Sequence, residues 1–139
     1  MLLVSLTIVL CAPPVLAGGL VTVQATLILA SNEGAPQDPR LEFVEYRLRR
    51  IFGFEYYRHL GEASVSVPVG GSTTLALGDG NSLFLDLASD EGKIRAHVRW
   101  MRGQDRVLET VLRAKPGVPS ILGGVPQGKG TLIVVLVAR

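Results

Sequence analysis

Gly123-Gly124-Val125-Pro126-Gln127-Gly128-Lys129-Gly130-Thr131 comes within one residue of a phosphate-binding loop. The spacing from Gly123 to Gly128-Lys129 fits, but Gly130 stands where Ser or Thr would bind magnesium. The segment also leads into an apolar strand, whereas phosphate needs the N-terminus of a helix. It reads as a hairpin loop.

Two histidines, His59 and His97, are the next candidates for chemistry. Ser66, His97 and Asp86 supply the residue types of a nucleophile, a base and an orienting acid, but no nucleophile-elbow sequence surrounds the serine. Both histidines read as surface residues. They are well separated, with no clustered acids or thiols, so a metal site is not expected. Asp79, Asn81 and Asp86, or Asp90 with Glu91, carry oxygen ligands without the alternating spacing of a calcium loop, and turn chemistry accounts for them. No catalytic, cofactor-binding or metal-binding residue is assigned, and the chain is expected not to be an enzyme.

The most specific candidate is an interaction surface. Phe43, Tyr46, Arg47 and Arg50 share the side of a helix opposite its apolar stripe, and Tyr57 follows shortly after, within Tyr56-Tyr57-Arg58-His59. Aromatic residues and arginine are the types enriched where partners bind most tightly. Lys93, Arg95, His97 and Arg99 form a second, cationic row on one face of a strand. That row could meet anionic lipid or an acidic partner. Cross-strand pairing of the row with Glu109 or Asp86 is the preferred alternative.

These residues must be positioned by a domain of modest size. Residues 1–17 of the 139 carry no charged side chain and end Val15-Leu16-Ala17 before Gly18-Gly19. They read as an export leader, with an uncleaved anchor as the alternative. Pro13-Pro14 interrupts the run, which is also short for a membrane span. The single cysteine, Cys11, lies in it, so residues 20–138 form one domain held by packing, without disulfides or thiolate chemistry. A net charge of +2 gives no case for nucleic acid.

Within 20–138, Leu20 to Ala30 alternates with period two, as a strand does. Asp38-Pro39 opens a helix, Leu41, Val44, Leu48 and Ile51 with Phe52 form its apolar face, Glu45 and Arg49 pair on its flank, and Gly53 stops it. Short strands follow at Glu55–Leu60, Ala63–Val69, Thr73–Leu77, Ser82–Ala88, Lys93–Met101, Val107–Ala114 and Ser120–Leu122. Thr131–Ala138 is an unbroken apolar strand of the kind buried on both faces. The expected fold is mainly β with one α-helix (α+β), an antiparallel β-sandwich or partly closed barrel with the helix near the N-terminus packed on the sheet.

From about residue 75 to 138 the chain resembles the C-terminal β-domain of bacterial outer-membrane secretins. The resemblance rests on Leu83-Phe84-Leu85-Asp86-Leu87 paired with Lys93 to Val98, then Val107 to Val111, the segment Gly117-Val118-Pro119-Ser120-Ile121-Leu122-Gly123-Gly124, and the terminal Leu132 to Leu136. It implies a shared β-fold and an envelope-complex context. The chain has neither the upstream ring-building modules nor the long stretch needed for a gate and a membrane-crossing lip, so it does not imply a channel. The expected function is that of a small exported domain, periplasmic or on the outer envelope, that self-associates or binds another envelope protein, touching membranes only peripherally. The alternative is a carrier holding an apolar ligand inside its β-sandwich.

Overall fold

The computed structural model describes residues 19–34 and 37–139, so the expected leader lies outside the described residues. Among the described residues, eight strands form two four-stranded antiparallel sheets. The first has the order β2-β1-β8-β7, built from β1 (Leu20–Ser31), β2 (Tyr56–Pro68), β7 (Ser120–Gln127) and β8 (Gly130–Ala138). The second has the order β3-β4-β5-β6, from β3 (Ser72–Gly78), β4 (Asn81–Asp90), β5 (Lys93–Arg102) and β6 (Asp105–Ala114). The sheets pack face to face as a sandwich and do not close into a barrel.

Strand alternation sorts β8 between two cores. Leu132, Val134, Leu136 and Ala138 point into the space between the sheets. Ile133, Val135 and Val137 point the other way, into a second core beneath the helix. A strand apolar at every position is stable only when both of its faces are covered, as here. β1 behaves similarly: Val21, Val23, Ala25 and Leu27 face the other sheet, while Ile28 and Ala30 face the helix. From the second sheet come Leu83, Leu85 and Leu87 of β4 and Ile94, Ala96, Val98 and Trp100 of β5. The buried indole N–H of Trp100 donates to Asn81 Oδ1 at 3.0 Å, so neither polar group is left unpaired.

The helix begins as its sequence dictates. Asp38 accepts from the Arg40 backbone N–H at 3.0 Å, Pro39 leads a 3₁₀ turn (Pro39–Leu41), and α1 follows (Glu42–Phe52). Gly53 ends it in the left-handed region at φ 72°, where only glycine pays no steric penalty, and its N–H donates to the Arg49 carbonyl. Leu41, Val44 and Leu48 are fully buried against β1 and β8, each contributing roughly 1.5–3 kcal/mol of burial. Ile51 departs from the expected apolar face: it is 60% exposed. At 100° per residue it falls on the flank of the stripe, and Phe52 takes the inward position near the helix end.

Two strand boundaries also differ from expectation. Glu55–Leu60 and Ala63–Val69 belong to one strand, β2, which stays paired to β1 through a bulge at Leu60. Gly61, beside that bulge, lies so close to β3 that a Cβ there would run into the Leu77 carbonyl. β7 runs past Leu122 to Gln127, with its own bulge between Gly123 and Val125. The expected long loop from Gly123 to Thr131 contracts to a two-residue turn at Gly128-Lys129.

Candidate functional site

α1 presents two faces because a helix in contact with a sheet can bury only one stripe. With Val44 and Leu48 held down, Phe43, Tyr46, Arg47 and Arg50 turn outward. Phe43 is 53% and Tyr46 70% exposed, and both arginines are exposed. Ile51 extends this surface along its rim. The outward arginines are arranged differently from their neighbours. Arg40 is bound by Asp38 at 2.7 Å and Arg49 by Glu45 at 2.9 Å. Among the described residues, neither Arg47 nor Arg50 has an acidic partner. Arg50 instead lies over the Tyr46 ring, 5.6 Å from its centroid, with Nη1 3.4 Å from the phenol oxygen. A guanidinium stacked on a ring loses less freedom when a carboxylate binds its remaining N–H groups.

Tyr57 does not join this surface, which corrects the expectation. It is 3% exposed, in the core beneath α1, because alternation along β2 points it at the helix. Its hydroxyl donates to the Leu48 carbonyl at 3.0 Å, and the Arg49 guanidinium lies 5.7 Å from its ring centroid. Burial raises its phenol pKa. Tyr57 anchors the helix that displays the surface.

The cationic row of β5 lies on the outer face of the second sheet, and of its four members His97 alone is paired with acids among the described residues. His97 sits between strands, with Nε2 2.8 Å from Glu109 Oε1 and Nδ1 3.8 Å from Asp86 Oδ2. Ser72 donates to the other oxygen of Asp86, and Arg106 holds Glu109 at 2.6 Å. The resulting row Ser72–Asp86–His97–Glu109 crosses all four strands. The His97 hydrogen bond, aided by Arg106, lowers the Glu109 pKa. Arg99 lies 6.0 Å from the centroid of the half-exposed Phe84 ring. An open groove of about 320 Å³ runs beside His97, lined by Asp86, Ala88, Arg95 and Val111.

Other candidates from the sequence are dispersed. Ser66 is on β2, in the other sheet, where its hydroxyl meets that of Thr22 at 3.1 Å, so it is not brought to His97. The His59 side chain is not a surface group. It is 6% exposed, on the helix-side face of β2 where that strand meets the 3₁₀ turn, with Nε2 3.5 Å from Glu62 Oε2. Asp79 and Glu91 adopt positive φ in tight turns, and Asp90 pairs with Arg113 at 2.9 Å. Among the described residues, no three His, Cys, Asp or Glu side chains gather as metal ligands, and no helix is long and apolar enough to cross a membrane. No protein-family model, curated protein or solved structure matches the chain, and the surface of α1 is read on its own physical chemistry.

Proposed function

We propose that the protein is a non-enzymatic interaction domain of the cell envelope that docks through the outward face of α1. The observation that carries this reading is the exposure of Phe43, Tyr46 and Ile51 beside Arg47 and Arg50, on a helix whose opposite face is committed to the core. Exposed aromatics among arginines have the composition of a binding hot spot, and a rigid helix displays them without a backbone ordering penalty. The envelope setting rests on the charge-free apolar residues 1–17 and on the secretin-like second half.

The carrier alternative finds no support in the space between the sheets. Leu83, Leu85, Leu87, Val98 and Trp100 fill it, leaving a crevice of about 20 Å³ between Val23, Leu112 and Leu136. Ligand sites for small molecules take roughly 300–1,000 Å³.

Size-exclusion light scattering on protein recovered from the envelope fraction of its host tests the reading. The expected result is a species heavier than one chain. The Tyr46→Ala, Arg50→Ala double variant should return it to one chain with an unchanged melting temperature. A cytosolic monomer, or an assembly indifferent to the double variant, would overturn the proposal.

A further inference from the structure

We infer that the partner of α1 is another protein that offers an acidic segment interleaved with apolar side chains. The inference rests on the docking reading above and adds the chemistry of what docks. Four arginines sit on or beside the helix, and two of them, Arg40 and Arg49, are neutralised by Asp38 and Glu45. The two left without an acid among the described residues are Arg47 and Arg50, and both lie on the outward face between Phe43, Tyr46 and Ile51. Along the helix, charge is thus neutralised at the rim and kept at the centre of the outward face.

Burying an unpaired guanidinium in an interface is costly, and a partner that supplies a carboxylate removes that cost. Beside the Tyr46 ring only Nη1 of Arg50 is engaged, which leaves the other guanidinium N–H groups for a two-pronged carboxylate contact. Phe43 and Ile51 flank the cations and call for apolar side chains on the same segment. A second copy of this chain fits less well. Pairing α1 with itself brings four guanidiniums together against only the two Glu42 carboxylates at the rim. An anionic membrane would satisfy the charge, but a sheet-mounted helix of 11 residues with its apolar stripe facing inward offers only Phe43, Tyr46 and Ile51, interrupted by Arg47 and Arg50, in place of the continuous apolar face that insertion needs.

The test is photo-cross-linking in the host, using the full chain with a benzophenone amino acid in place of Phe43. The expected product is one dominant adduct whose attached peptide carries Asp or Glu beside apolar residues. Its yield should fall at least about tenfold in the Arg47→Glu, Arg50→Glu variant, as expected for like charges placed across an interface. An adduct with a second copy, with lipid, or with a peptide lacking acidic residues overturns the inference. If Tyr46→Ala lowers the yield and the charge reversal does not, the face is an interface but the acidic partner is wrong. If neither change matters, or no adduct forms, the docking reading falls with it. Both arginines are exposed, so an unchanged melting temperature in the reversal variant separates a binding defect from unfolding.

Discussion

The phenol of Tyr57, on β2, donates a hydrogen bond of 3.0 Å to the main-chain carbonyl of Leu48, in the middle of α1. One side chain thereby ties the helix to the sheet directly under the outward-facing arginines.

Tyr57→Phe keeps the packing and removes only this bond. Leu48 is still a helical acceptor, so no buried group is orphaned and the loss should be about 0.5–1.5 kcal/mol in denaturant unfolding. Association should be unaffected, because Tyr57 does not reach the surface. Tyr57→Ala removes a buried ring as well and should cost about 3–5 kcal/mol. The bond needs the neutral phenol, whose pKa burial raises above the ordinary tyrosine value. Its contribution is therefore complete below that value and lost as pH rises through the raised one.

Asn81 and Trp100 form a polar pair inside the inter-sheet core. Asn81 Nδ2 also donates to the Gly78 carbonyl at 3.2 Å, closing the β3–β4 turn. Asn81→Leu should cost about 1–3 kcal/mol, the penalty for a buried donor left unpaired. The same change in a Trp100→Phe background should cost less, because no indole N–H remains to be orphaned. Equal costs in the two backgrounds would show that Asn81 acts through the turn alone.

Gly61 is where β2 passes β3 of the opposite sheet, and a Cβ there meets the backbone at Leu77. Backbone cannot yield as a flexible side chain can. Gly61→Ala should destabilise the domain by about 1–3 kcal/mol, as overpacking does, measured by the denaturation midpoint. Gly34, whose Cβ would meet open space, should accept alanine with little change.

Asp38 should make the start of α1 acid-sensitive. Hydrogen bonds from the Arg40 side chain and backbone hold its pKa at about 2, below the ordinary 3.8. A carboxylate with a lowered folded pKa contributes stability above the unfolded value and loses it as pH falls through the folded one. The protection of first-turn amides of α1, taken relative to their intrinsic exchange rates, should therefore be constant above pH 3.8 and fall between 3.8 and about 2. Asp38→Asn, which keeps an accepting oxygen without the charge, should flatten that dependence.

Much of this was legible along the chain. The alternation in β4 and β5 marks one inward face because side chains on a strand alternate strictly, whereas in β1 it marks the inter-sheet face and leaves the helix-side Ile28 and Ala30 unread. The apolar run Leu132–Val137 demands cover on both sides, and Asp38-Pro39 with Gly53 brackets a single helix. Hence the outward set Phe43, Tyr46, Arg47 and Arg50 follows from periodicity alone, since it is the complement of Val44 and Leu48.

Other features were settled only by tertiary packing. Tyr57 reads as part of an aromatic-basic cluster, and its direction depends on which face of β2 the helix covers. Ile51 has the spacing of a core residue, but it falls on the flank of the stripe and stays 60% exposed, while Phe52 packs against the core. The merging of two strands into β2 and the extension of β7 depend on bulges, where one strand carries an extra residue opposite its partner. Periodicity reports how a side chain is oriented relative to its own backbone. Which neighbour arrives to cover it, and whether an arginine meets Asp38, Glu45 or no acid, depends on contacts between segments far apart in the chain, and only the folded arrangement of two sheets and a helix decides them.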